Sequence, residues 1–112
     1  MKRGEIYFAN LNPTIGSEIK KTRPVLVVSN NANNRAASTI TVIPITSNIR
    51  KIYPFEALLE PTRAGLLRRS KAQCHQIRTI SKLRINGKAI GVVNEKIMEQ
   101  IEAAIILHLG LC

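Results

Sequence analysis

Apolar residues fall into short blocks along the chain, and their periods predict a mainly β domain that ends in a helix. Residues 4–11, Gly-Glu-Ile-Tyr-Phe-Ala-Asn-Leu, read as a first strand with aromatic content. Residues 12–22 contain Pro13 and Gly16 and keep no clean period, so they read as a long loop of the kind that commonly carries function. Arg23-Pro24 opens the run Val25 to Val28, whose unbroken Val/Leu character predicts a strand buried on both faces. Ser29 to Ser38, rich in Asn and Ala, reads as a loop. Thr39 to Ile45 is β-branched almost throughout and predicts a strong strand, stopped by Thr46-Ser47-Asn48. Phe55 to Leu59 predicts another, stopped by Glu60-Pro61. Residues 63–69 read as a helical turn weakened by Gly65.

Lys71 to Ile80 reads as one strand, with Ile77 and Thr79 on one face and Gln76, Arg78 and Ile80 on the other. Ser81-Lys82-Leu83 reads as a short helical turn or loop, Asn86-Gly87 as a tight turn, and Lys88 to Val93 as a short strand. The final element is a helix. Asn94 suits its N-cap, and Glu95 stands in the first turn, where the helix dipole favours negative charge. Ile97, Ile101, Ala104, Ile105 and His108 recur at helical spacing, and Gly110 closes the helix. These elements predict one domain over residues 1–112, a small twisted β-barrel or sheet closed by a helix.

Charge sharpens the picture. The chain has 17 Lys and Arg against 7 Glu, no Asp, and a net charge of +10. Residues 95–112 carry −2, so the remaining 94 residues carry +12. A field of that sign favours polyanions. No apolar run approaches the roughly 20 residues that span a bilayer, and the N-terminus has no signal-peptide core. A cytoplasmic protein with no membrane partner is expected. Cys74 reads as a buried apolar thiol and Cys112 as a free terminal one, because their spacing matches no zinc or redox motif.

The candidate chemistry is narrow. His75 and His108 lie far apart without a carboxylate cluster, so neither a metal nor any other cofactor is expected. His75 reads as a partly exposed strand residue and His108 as a packed or interface residue. Arg23 sits where the long loop meets a buried strand, and Arg forks onto phosphate oxygens. Thr46 ends the next strong strand. If the two strands are neighbours, both side chains could converge on one phosphate, joined by Ser17 and Glu18 from the loop. RNA cleavage without metal needs a base for the 2′-hydroxyl, a cation for the phosphorane and an acid for the leaving oxygen. Arg23 could supply the cation and Glu18 the base. Each also has a plain structural reading: Arg23 a solvated loop residue, Thr46 a strand end, Glu18 a surface charge.

Several motifs in order add a resemblance. Lys2-Arg3-Gly4-Glu5-Ile6-Tyr7-Phe8-Ala9 resembles the opening strand of the MazF/PemK toxins, and Asn12-Pro13-Thr14-Ile15-Gly16-Ser17-Glu18 their first loop. Arg23-Pro24-Val25-Leu26-Val27-Val28-Ser29, Pro44-Ile45-Thr46-Ser47, Gln76-Ile77-Arg78-Thr79-Ile80 and Leu109-Gly110-Leu111 resemble further segments of that family. The resemblance implies an SH3-like barrel with a C-terminal helix, in a homodimer. It implies a growth-arresting toxin of a type II toxin-antitoxin system: a metal-independent, sequence-specific endoribonuclease (an mRNA interferase) that leaves 2′,3′-cyclic phosphate and 5′-hydroxyl ends. In that setting Arg23 and Thr46 are catalytic, and Ser17 and Glu18 shape or gate the site. Lys20, Lys21, Ser47, Gln76 and Arg78 are the candidate RNA contacts. The implied partners are single-stranded RNA and an acidic antitoxin, with DNA met only through the antitoxin complex. His75 and Ser81 stand where the family often has acidic residues. Two rival readings remain at this point: a non-catalytic nucleic-acid-binding barrel, and a protein-binding toxin like the gyrase poisons, whose Trp-bearing tip this Trp-free chain lacks.

Overall fold

The first two predicted strands pair with each other across the long loop. β1 (Glu5–Asn10) runs antiparallel to β2 (Thr22–Val27), with Ile6 opposite Leu26 and Asn10 opposite Thr22. The computed structural model describes residues 1–13, 15–18, 21–61 and 65–111. β2 pairs in turn with β3 (Thr39–Thr46), and β1 pairs on its other side with β7 (Ile85–Val92). β4 (Glu56–Leu59), β5 (Ser70–Gln73) and β6 (Arg78–Ser81) complete one antiparallel sheet of order β4-β5-β3-β2-β1-β7, with β6 also on β3. Helices α1 (Asn31–Ala36) and α2 (Glu95–Leu109) accompany it. The mainly antiparallel class and the C-terminal helix match the expectation. Closure does not: among the described residues no ladder joins the sheet's outer strands, so the sheet is open.

Alternation divides the core between two faces. On one, Ile6, Leu26, Ile43 and Ile45 meet Met98, Ile101 and Ala104 of α2. On the other, Tyr7, Ala9, Val25, Val27, Ile40, Val42 and Ile80 form a second cluster. Val25, Leu26 and Val27 are all fully buried, as a strand with no polar position requires. Each such side chain removed from water contributes roughly 1.5–3 kcal/mol. The central strands β1, β2 and β3 are therefore the rigid part of the domain, and their exposed ends are where chemistry can be positioned.

Four expectations change. Residues 29–38 are not all loop, because α1 lies within them. Asn30 caps it, its Oδ1 accepting from the Asn33 amide at 2.8 Å. Buried Asn34 then ties it to Ser29, its Nδ2 donating to the Ser29 carbonyl at 2.9 Å. The single strand expected over Lys71 to Ile80 is two strands, β5 and β6, separated by a 3-10 turn at Cys74–Gln76. Asn86-Gly87 lies inside β7 and is not a separating turn. The β1–β7 register instead shifts between Ile6 and Phe8. Of the helical turn expected at 63–69, residues 63 and 64 lie outside the described residues, and from Gly65 the chain is irregular. Gly65 has φ +71° and backs onto the Ile90 carbonyl so closely that a Cβ would stand 1.8 Å from its oxygen.

The terminal helix follows its sequence signals. Asn94 Oδ1 accepts from the Ile97 amide at 2.9 Å, and Gly110 closes the helix with φ 67°. Replacing that cap leaves an orphan amide at the start of the helix that covers one core face. Asn94→Ala is expected to lower stability by about 1 kcal/mol, read as a lower urea midpoint at unchanged slope.

Candidate functional site

The site begins with strand register. Val25 lies opposite Pro44, Leu26 opposite Ile43 and Val27 opposite Val42. Extended two residues, the same register sets Arg23 opposite Thr46, and opposed residues share a face. Arg23 Nη1 donates to Thr46 Oγ1 at 3.4 Å. The same hydroxyl accepts from the Asn48 amide at 3.2 Å, so Thr46 is held from both sides. Arg23 and Thr46 are both half-buried. On its other flank Arg23 pairs with fully buried Ala9.

The row continues to a residue that sequence reasoning missed. Thr46 lies opposite Lys71 of β5, so Ala9, Arg23, Thr46 and Lys71 line up across four strands. Lys71 is 8% exposed. Its Nζ donates to Glu56 Oε1 at 3.0 Å and to the Lys51 carbonyl at 2.7 Å. Glu56 Oε1 also accepts from the Tyr53 amide at 2.9 Å. This buried ion pair fastens the loop after Thr46 onto the sheet, so the wall beside Thr46 is braced by charge. Nothing in the sequence spacing marks it, because Lys71 looked like one position in a single long strand.

The other sequence candidates are distributed around this row. Arg78 lies opposite Val42 on the same face, four residues along β3 from Thr46, or roughly 13 Å. Gln76 sits in the 3-10 turn between β5 and β6, half-buried. Ser47 is exposed directly after Thr46, and Lys21 is exposed at the end of the long loop. Lys20 lies outside the described residues, as does Cys112. Ser17 and Glu18 are exposed. Glu18 Oε1 accepts from the Ile15 amide at 2.6 Å, so its carboxylate braces its own loop. The neck of that loop is closed by the Leu11 amide donating to the Lys21 carbonyl at 3.1 Å and the Lys21 amide donating to Asn12 Oδ1 at 3.0 Å.

One histidine departs from its expected setting: His75 lies in the 3-10 turn, not in a strand, while His108 stands on the exposed side of α2. Their rings nonetheless meet, with centroids 6.2 Å apart, beside Phe55. Burial is the main reason the His75 pKa falls below its ordinary value. Glu56 opposes it as the next-largest influence, and His108 and Lys71 add smaller pushes downward. Burial, with Glu56 nearby, pushes the Cys74 thiol up to about 12, so it stays a protonated core group. Burial and the hydrogen bond to Glu5 hold Tyr7 at about 12. A hollow lined by Glu95, Glu99, Glu102 and Arg3 lies elsewhere, between the start of β1 and α2, and its acidic rim is unsuited to a polyanion. Among the described residues no three His, Cys or acidic side chains gather as a ligand set.

The arrangement is a forked cation and a hydroxyl together at the rim of the sheet in a basic chain, which suits one phosphate group. Comparison with known proteins gives the family. Residues 2–109 match the family of PemK-like, MazF-like toxins of type II toxin-antitoxin systems. The chain belongs to that family. It is 45% identical to the endoribonuclease MazF9 of Mycobacterium tuberculosis, over 99% of this chain and 98% of that one. It is 38% identical to the endoribonuclease EndoA of Bacillus subtilis, over 99% and 96%. A mycobacterial endoribonuclease solved in complex with its cognate antitoxin superposes with a TM-score of 0.82 at 27% identity, covering 100% of this chain and 97% of that one.

Two predictions follow from the geometry. Lys71→Met leaves Glu56 buried without its cation and is expected to cost about 3–5 kcal/mol in urea unfolding, whereas Lys71→Met with Glu56→Leu recovers most of that loss. The second concerns pH. Because the folded-state pKa of His75 is depressed, its contribution to stability is full above the ordinary value of 6.5 and is lost as pH falls below it. Melting temperature is expected to drop between pH 7 and pH 5, and by less in His75→Gln.

Proposed function

We propose that Arg23 and Thr46 form the centre of a metal-independent endoribonuclease that cuts single-stranded RNA at a specific sequence, the mRNA interferase activity of a growth-arresting toxin. The observation that carries the reading is the 3.4 Å approach of the Arg23 guanidinium to the Thr46 hydroxyl at the ends of β2 and β3. The names of the curated relatives support it, since MazF9 and EndoA are both called endoribonucleases.

In the proposed reaction the 2′-oxygen attacks phosphorus and the bond to the 5′-oxygen breaks. The products are a 2′,3′-cyclic phosphate and a 5′-hydroxyl. No water molecule is consumed, so none has to be activated. As the 2′-oxygen bonds to phosphorus its proton passes to a base, for which Glu18 is the candidate, and a proton reaches the leaving 5′-oxygen by way of Arg23. The net transfer is from the 2′-oxygen to the 5′-oxygen. Arg23 also stabilises the charge of the phosphorane, and Thr46 hydrogen-bonds a phosphate oxygen. Ser17 and Glu18 shape the entrance on the loop that runs into β2. Arg78, about 13 Å along the strand from Thr46, suits a neighbouring phosphate, and Lys20, Lys21, Ser47 and Gln76 complete the RNA contacts.

Partners follow from charge and exposure. A net charge of +10 suits an acidic antitoxin, and an antitoxin accompanies the mycobacterial endoribonuclease. A homodimer would cover part of the apolar end of α2, where Leu107 and Leu109 are exposed. DNA is met only through the antitoxin complex. No helix among the described residues is long and apolar enough to cross a membrane, in keeping with a cytoplasmic site of action.

The test is direct. Purified protein is incubated with a long single-stranded RNA in excess EDTA, and the fragment ends are mapped. Discrete cuts with cyclic-phosphate ends are expected. Arg23→Ala and Thr46→Ala are each expected to slow cleavage by about 100- to 1000-fold while melting like the parent. Intact RNA from folded, antitoxin-free protein would overturn the reading, and full activity in folded Arg23→Ala would overturn the residue assignment.

A further inference from the structure

The chain has two Tyr, two Phe, two His and no Trp. Four of those six rings gather in one place. Tyr53 and Phe55 stack in parallel, with centroids 5.2 Å apart and an interplanar angle of 4°. Phe55 then meets His75 edge-on at 4.6 Å, and His108 stands 6.2 Å from His75. Stability does not explain the outermost ring, because Tyr53 is 41% exposed and outside both core clusters.

The ring cluster is joined to the Arg23–Thr46 row. Lys71 provides the link. It pairs with Thr46 across the strands, and its Nζ lies 5.9 Å from the centre of the Tyr53 ring. The ring is also held from its own loop, through the Tyr53 amide on Glu56 and the Lys51 carbonyl on Lys71. Lys51 Nζ stands 4.8 Å from the same ring centre. An exposed ring with Lys51 over it and Lys71 near it, fixed beside the proposed phosphate-binding pair, is the arrangement that captures an unpaired base once Lys51 gives way.

We propose that Tyr53 is a substrate-positioning residue: its ring stacks on the base of a nucleotide flanking the cleaved phosphate. This rests on the ribonuclease reading above and deepens it. As the base slides onto the ring, Lys51 exchanges its place over Tyr53 for the phosphate of that nucleotide. The ledge contributes to binding and register and not to the bond-breaking step, which belongs to Arg23 and Thr46. The cationic surround favours a nucleotide over an apolar surface of another protein.

The experiment uses the full-length protein and the RNA sequence that the parent cuts. An uncleavable version carries 2′-deoxyribose at the cut nucleotide and a single 2-aminopurine, whose emission falls on stacking, placed in turn on either side of the cut. With the parent, emission is expected to drop at one flanking position. Tyr53→Leu is expected to lose that drop, to weaken binding by about 10- to 100-fold, and to raise KM with kcat within about twofold. Tyr53→Phe keeps the ring and is expected to restore all three. Because Tyr53 is exposed, Tyr53→Leu should fold, and its melting curve checks this. A folded Tyr53→Leu that binds and cuts like the parent would overturn the proposal, as would a Tyr53→Phe as impaired as Tyr53→Leu. A change in oligomer size in sedimentation with unchanged RNA affinity would make the ledge a protein interface and overturn it too. Each of these leaves cleavage by the parent intact, whereas a parent that cuts no RNA defeats the ribonuclease reading itself.

Discussion

The site depends on the register between β2 and β3. Three fully buried residues of β2, Val25, Leu26 and Val27, fix that register, because Val25 and Val27 pack in one core cluster and Leu26 in the other, and a one-residue slip would exchange these fitted positions. Burial in the middle of the sheet thus positions polar groups at its rim. Arg23 and Thr46 lie just past the buried stretch, on the face that Val25 and Val42 occupy. The forked cation and the hydroxyl therefore need no loop to bring them together, and rigid strand ends suit the proposed binding of one phosphate.

A second device is the turn at Cys74–Gln76. On the β5 side, Ile45 pairs with Ala72 and Thr46 with Lys71. On the β6 side, Val42 pairs with Arg78 and Ile40 with Ile80. The register changes by three residues between them. Three is odd, so the turn reverses the alternation, and Lys71 and Arg78 both come to the face that carries Thr46. One unbroken strand would have sent them to opposite faces. The short turn that holds His75 and Gln76 thus gathers positive charge on one side of the sheet.

Much of this was legible in the sequence. The strands at 5–10, 22–27 and 39–46 and the capped terminal helix follow from β-branched runs, Asn94 and Gly110. Arg23 and Thr46 were legible because they border such runs. Lys71 and Glu56 were not, since the alternation from Lys71 to Ile80 looks continuous and nothing local announces the turn. α1 was hidden because Asn is a poor helix former and its cap at Asn30 sits among other asparagines. The aromatic ledge was hidden by distance along the chain, as His108 reaches Phe55 and His75 only through the packing of α2. The open sheet reflects pairing between elements, which no local pattern encodes.

The central claim is that Arg23 and Thr46 act on the same phosphate. A double-mutant cycle on cleavage tests it most directly, comparing kcat/KM for the parent, Arg23→Ala, Thr46→Ala and the variant carrying both changes. Groups that share one phosphorane are expected to be strongly non-additive, with the double variant little slower than the worse single one. Losses that simply multiply would mean that the two residues work independently, and would contradict the account.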